Sequence, residues 1–255
     1  MFRVLALLSR MRLSGSSVDL EAAAKRQYLF PAAGAVLGLI FCVAALVAFE
    51  FLGETLDALL IALLVVIFTY FLTGLIHLEG LADLGDGLMA SGDKERKRGA
   101  MKDASLGASG AFFMIVAVLT LLLLVGDLGR WIDAPLLLVW ADRVPLTIGL
   151  VIAEVSAKLA MNTVMVIGPS SHQGMGSVFV RAATPGKYAM ALLIGFAIAL
   201  LLSGIIGIIV LLGPTAGIIV ALISKKHFGG VGGDAFGAAN EFGRLLTLFA
   251  WVVLL

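Results

Sequence analysis

Apolar residues occur in long blocks separated by short polar islands. Seven blocks approach the roughly 20 residues that a helix needs to cross a bilayer: about 29–52, 55–76, 106–125, 135–167, 187–203, 205–223 and 235–255. None alternates with a period of two, and they are longer than the strands of a membrane barrel. The pattern predicts an all-α fold. The fifth and sixth blocks are parted only by Ser203-Gly204, which reads as a tight pair of spans or as one re-entrant feature. The fourth block carries Asp142, Arg143, Glu154 and Lys158 and reads as one long or kinked helix. Ahead of the first block, Val4 to Leu8 is too short for the apolar core of a secretory signal, and Arg3, Arg10 and Arg12 flank it. Residues 1–28 read as a segment with an interfacial helix.

Composition fixes the solvent. Hydrophobic residues make up 61% of the 255 and charged residues 14%, with a mean hydropathy of +1.09. A soluble domain needs roughly a quarter of its residues charged, so residues 1–255 read as one membrane-embedded domain in the lipid bilayer. The net charge of +1 gives no basis for binding nucleic acid. Cys42, alone and in an apolar block, forms no internal disulfide. The placement of charge is more informative. Arg3, Arg10, Arg12, Lys25 and Arg26 precede the first block, and Lys94, Arg96, Lys97, Arg98 and Lys102 follow the second. Arg181 and Lys187 follow the fourth, and Lys225 and Lys226 the sixth. Those fourteen of the eighteen basic residues fall on one side of a seven-span bundle, while the alternate connections hold only Arg130. The positive-inside rule makes that side cytoplasmic. The expectation is a multi-pass protein of the cell membrane, with its N-terminus and its active site on the cytoplasmic side. An eighth span within 135–167 would break the alternation.

The chemistry lies in the polar islands. The first is HLEGLADLGDG, residues 77–87. Glu79, Asp83 and Asp86 stand at i, i+4 and i+7, within about 60° of one another on a helix. Three carboxylates on one face repel without a counter-cation, and hard oxygen ligands suit Mg²⁺ or Mn²⁺ shared with a substrate phosphate. Gly80, Gly85 and Gly87 would let a diphosphate approach the backbone. His77 points to the opposite side of the helix from Asp86 and reads as a hydrogen-bonding neighbour, not a ligand. The run Lys94 to Arg98 reads as a solvated loop. Beyond it, Asp103 is positioned to add a fourth carboxylate and Lys102 a phosphate partner. In GGVGGDAFGAANE, residues 229–241, Asp234 falls near a helix N-cap and shares a face with Glu241. An ionised Glu241 inside an apolar helix needs a cation, water or a hydrogen-bond partner. A third island, 168–176, contains His172, read as an ordinary loop residue. Asp142–Arg143 and Glu154–Lys158 read as structural ion pairs, and Asn162 faces the same side as Lys158.

Together these islands resemble the cobalamin synthase family of integral-membrane adenosylcobinamide-GDP ribazoletransferases. The words that carry the resemblance are HLEGLADLGDG (77–87), MKDASLGASG (101–110) and GGVGGDAFGAANE (229–241). Tyr28 to Gly34 and Gly174 to Phe179 match more weakly. Position 79 is Glu where the family usually has Asp, and position 232 is Gly where Thr is common. The resemblance implies transfer of α-ribazole, or its 5′-phosphate, onto adenosylcobinamide-GDP with release of GMP. That reaction and the carboxylate reading together give a Mg²⁺-dependent site with Glu79, Asp83, Asp86 and Asp103 on the metal and Asp103 as base. The nucleophile expected is the ribazole 5′-hydroxyl. Lys102 would hold phosphate, His77, Gly80 and Gly87 would line the substrate, and Asp234, Asn240 and Glu241 would line it too or complete the metal shell. A homo-oligomer is compatible with this reading.

Two other readings stand beside it. Asp83-x-x-Asp86-Gly87-x-x-Ala90 echoes the CDP-alcohol phosphotransferases, but Ser91 and Gly107 replace their arginine and last aspartate. An ion-coupled transporter would also use membrane carboxylates. Against it, the islands gather at one side of the membrane and no inverted repeat is evident.

Overall fold

The structure is a computed structural model and describes residues 1–10, 19–103, 105–129 and 147–254. The pair Asp142–Arg143 and the start of the fourth apolar block lie outside these residues. Among the described residues the chain is helical, apart from an isolated bridge between Ser170 and Val231. Helices α1 (Phe2–Leu8) and α2 (Leu20–Lys25) precede α3 (Phe30–Leu52), α4 (Ala58–Thr73), α5 (Ile76–Met89), α6 (Lys94–Met101) and α7 (Ala108–Gly129). Then come α8 (Ile148–Ile167), α9 (Met175–Ala182), α10 (Pro185–Ser203), α11 (Leu212–Phe228) and α12 (Gly233–Leu254).

Side-chain caps start several of them. The Asp57 carboxylate accepts from Leu59 N at 2.8 Å at the head of α4, and that of Asp93 accepts from Arg96 N at 3.0 Å at the head of α6. The break between α4 and α5 has a backbone cause. Gly74 and Leu75 both have positive φ, 78° and 64°, and the two helices meet at 90°. Such a φ suits glycine but is uncommon for leucine. The block expected to span from 55 to 76 therefore ends at Thr73. The carboxylate island stands on its own helix, lying across the end of the bundle.

Helix α8 is the axis, buried at every position from Gly149 to Met165. Small residues let its neighbours approach closely. Gly34 and Gly38 of α3 face Lys158 and Val151, and Gly195 of α10 faces Leu159. Gly243 of α12 faces Ala157 and Ala160, while Trp251 covers Gly149. Tyr188 of α10 meets Thr163 through their hydroxyls at 2.8 Å, so in each case numbers rise along one helix as they fall along the other, and these three run antiparallel to α8. Gly213 and Gly217 of α11 face Ser156 and Ala160, so α11 runs parallel to it. The chain thus reverses between α10 and α11, at Gly204 with φ 58°. The 203–204 junction is a tight antiparallel pair straddling α8.

The same reasoning orders the rest. Gly126 of α7 lies beside Leu59 of α4, and Tyr70 of α4 meets Glu241 and Arg244 of α12. Helices α3, α7, α10 and α12 point one way, and α4, α8 and α11 the other. The alternation read from basic residues reappears in the packing, and it collects the polar islands at one end. Exposed apolar side chains such as Val43, Val47, Ile67, Phe71, Leu119 and Leu123 face outward, as suits lipid.

Among the described residues, length and apolar content do not confirm all seven of the expected spans. By length and apolar content, four described helical runs can cross a bilayer: 27–52, 108–129, 148–167 and 185–228. The bent pair α4–α5 makes five if it counts as one span. Helix α4 has only 16 residues. Helices α10 and α11 fall within a single run, and α12 carries three charges, Asp234, Glu241 and Arg244. Helix direction predicts that, with Cys42 replaced, cysteines at Ser91 and Ser171 label from one side of the membrane and a cysteine at Thr55, exposed between α3 and α4, from the other. Labelling of 91 and 55 from the same side would refute the alternation.

Candidate active site at the polar end of the bundle

Helix α5 is wedged between α7 and α12. A Cβ on Gly80 would strike the backbone of Asp234 and Gly237, and one on Gly237 would strike that of His77. Gly85 lies under Phe113, and Gly87 under Met101 and Phe228. These glycines seat the helix against its neighbours. Gly80 and Gly87, expected to open the backbone to a diphosphate, are buried by protein instead.

Glu79 is exposed, and Asp83 and Asp86 are half-buried. Burial pushes the Asp83 carboxyl up to about 6, and the charges of Asp234, Glu79 and Asp86 add to the shift. Asp86 also has a structural task. Its two oxygens accept from Gly107 N at 2.9 Å and Gly110 N at 2.8 Å, anchoring the start of α7. A Cβ on Gly107 would overlap that carboxylate, so the aspartate of the CDP-alcohol phosphotransferase pattern has no room there. Asp103 is solvent-exposed and turns back on its own loop, where the Ser105 hydroxyl and backbone N–H hold its carboxyl below the usual range. Among the described residues, no three His, Cys, Asp or Glu side chains converge as a metal cage. The acidic groups that share one field are Asp83, Glu79, Asp86 and Asp234. Their chemistry still fits a hard cation: oxygen donors of one sign, partly desolvated, with mutual repulsion that a cation would relieve.

Beside them opens a cleft of about 240 Å³. It is lined by Leu84 of α5, by Arg98, Met101 and Lys102, by Ser171 and His172, by Ser224 and Phe228 of α11, by Gly230 and Gly232, and by Asp234 and Ala235. Its floor is tied by Ser171 N to Val231 O at 3.0 Å and Val231 N to Pro169 O at 2.8 Å. Arg98 is fixed by donating to the Phe228 and Ser171 carbonyls at 3.3 and 3.4 Å. Lys102 and His172 lie within electrostatic reach of Asp234. Sequence reasoning placed Lys102 and Asp234 here. It missed Arg98, taken as part of a solvated run, and His172, taken as an ordinary loop residue. Ser171 and Ser224 carried no distinguishing signal.

Asn240 and Glu241 do not line the cleft. Glu241 lies about 10 Å further along α12 than Asp234, inside a buried network. Its carboxylate accepts from Tyr70 Oη at 3.1 Å, Arg244 Nη1 at 3.1 Å and Asn240 Nδ2 at 3.2 Å. Arg244 Nε also pairs with Glu154 at 2.6 Å. Lys158 bonds Glu154 at 3.0 Å and Asn240 Oδ1 at 2.6 Å. Glu241 thus has the partners its burial demands, but they are these groups and not the carboxylates of α5. The Glu154–Lys158 pair is present as expected, within a larger assembly. Asn162 reaches the Gln27 carbonyl at 3.0 Å instead of the polar pocket. His77 is buried, its Nε2 without a hydrogen-bond partner.

The sequence profile of a family described as cobalamin-5-phosphate synthase matches residues 1–252. The chain is also similar to proteins named adenosylcobinamide-GDP ribazoletransferase. The one from Methanococcoides burtonii is 36% identical over 249 residues, covering 96% of this chain and 89% of the relative. That from Methanosarcina barkeri is 34% identical over 262 residues, covering 97% and 89%. That from Methanocella arvoryzae is 37% identical over 249 residues, covering 90% and 86%. No solved structure matches.

Proposed function

This chain belongs to the cobalamin-5-phosphate synthase family, and we propose that it performs that family's transfer at the polar end of the bundle. An α-ribazole or α-ribazole 5′-phosphate hydroxyl attacks the cobinamide-side phosphorus of adenosylcobinamide-GDP. One P–O bond forms, the diphosphate P–O bond breaks, and GMP leaves. With the 5′-phosphate as acceptor, the 5′ oxygen expected to attack is already esterified, so a different ribose hydroxyl is the nucleophile in that case.

The observation that carries this reading is the meeting of two opposite charge sets: carboxylates on α5 and α12, and Arg98 with Lys102 across the cleft. Asp234 is the carboxylate lining that cleft among the described residues, and it is the better-placed group to take the proton of the attacking hydroxyl. Asp103, the earlier candidate, is engaged by Ser105 in the open. Lys102 holds phosphate oxygen by charge. Asp86, fixed on the start of α7, keeps the acidic face of α5 aligned. A divalent cation such as Mg²⁺, held by Glu79 and Asp83 with Asp86 and Asp234 in its field, would neutralise charge growing on the diphosphate oxygens.

The test uses purified protein in detergent, with no membrane gradient. GMP release is expected only when both substrates are present, to stop on chelation and to return with Mg²⁺. A transporter would release no GMP, and release that survives chelation would remove the cation from the mechanism.

A further inference from the structure

We propose that the cleft beside Asp234 is a subsite for a phosphate monoester, the 5′-phosphate of the acceptor, bound by Arg98, Lys102 and Ser224. This rests on the transferase reading above and names the part of the substrate that the cleft takes.

Ser224 supplies the first observation. It is wholly buried, it lines the cleft, and its Oγ has no hydrogen-bond partner. Other buried helix hydroxyls here find a partner, several at the carbonyl four residues back, as in Ser203 to Ala199 O at 2.8 Å, Thr69 to Val65 O at 2.9 Å and Thr163 to Leu159 O at 2.8 Å, and others across the packing, as in Ser156 to Val210 O at 2.9 Å. Ser224 departs from that habit, and a buried donor is left for something that enters the cleft. The second observation is charge. Arg98 and Lys102 stand four residues apart at the end of α6 and both line the cleft. Among the described residues, neither has a carboxylate within ion-pair distance. Arg98 is pinned on two backbone carbonyls, which orients its guanidinium without neutralising it.

Size and polarity then choose the ligand. At about 240 Å³ the cleft is smaller than the pockets that enclose drug-sized molecules. It holds a sugar phosphate but neither a corrin nor a whole nucleoside diphosphate. Asp234 on the opposite wall repels phosphate and accepts from hydroxyl, so the acceptor lies with its phosphate toward α6 and α11 and its ribose toward Asp234. GMP, the leaving group, is also a phosphate monoester, and the two sources are separable.

The experiment compares kcat/KM for α-ribazole 5′-phosphate with kcat/KM for α-ribazole. The ratio is expected to fall about tenfold in Ser224→Ala and further in Lys102→Glu, where an exposed residue reverses its charge without threatening the fold. An unchanged ratio, with both acceptors equally affected, overturns the proposal. So does an unchanged ratio with weakened inhibition by GMP, because the cleft would then hold the leaving group. Equilibrium binding of α-ribazole 5′-phosphate, expected to be weaker in Lys102→Glu than in the unmodified protein, decides the matter even where GMP release fails. That failure would count against the transferase reading, and equal binding by both proteins against the subsite.

Discussion

Asp83→Asn is expected to lower GMP release at least about a hundredfold, with the protein still inserting and purifying as a single species. Asp83 is the centre of the acidic field, facing Asp234, Glu79 and Asp86 while half-buried. The same substitution should stabilise the cation-free protein at neutral pH. The carboxyl titrates at about 6 when folded, against an ordinary 3.8, so the folded state binds that proton more tightly than the unfolded chain. Its contribution to stability is present below about pH 4 and is lost as pH rises through about 6. Without divalent cation the melting temperature should therefore drop between pH 4 and 7. Mg²⁺ should recover it at pH 7, and both responses should flatten in Asp83→Asn. Near-normal turnover in that variant would remove α5 from the chemistry.

Arg244→Met is expected to be the most destabilising single change, by about 3–5 kcal/mol, read as loss of thermal stability in detergent. Arg244 pairs with Glu154 at 2.6 Å and Glu241 at 3.1 Å, and all three are almost fully buried. Removing it leaves two carboxylates to share Lys158. The double variant Arg244→Met with Glu154→Gln should recover much of the loss, since the remaining pair is balanced again. If Arg244→Met melted with the parent, the network would not hold the helices together.

The apolar blocks made the helical class and the alternation legible, because lipid forces every backbone group into helical hydrogen bonds. The bend at Gly74–Leu75 was not legible. It depends on one leucine adopting positive φ, and only packing against α7 and α12 shows why α5 turns aside. The spacing of Glu79, Asp83 and Asp86 correctly placed them on one helix face, yet spacing cannot tell that Asp86 would cap another helix. Glu241 was recognised as needing a partner, but Arg244 and Tyr70 lie on the same and on a distant helix, and their meeting is a matter of tertiary packing. Arg98 was lost inside a basic run whose average character is that of solvent-exposed chain. The cleft is assembled from four separate stretches of the chain, around Leu84, 98–102, 171–172 and 224–235, so no contiguous word announces it.

The two sides of that cleft differ mechanically. Helix α5 is locked by glycine contacts to α12 on one flank and by the hold of Asp86 on α7 on the other, so it cannot slide without breaking both. Helix α6 has no buried residue and is fastened by Arg98, by Lys97, which donates to the Leu88 carbonyl at 3.0 Å, and by Met101 against Gly87. With so little of it buried, α6 opens locally at a lower free energy than α5, so the basic wall of the cleft is the one that yields and the acidic wall the one that keeps its place.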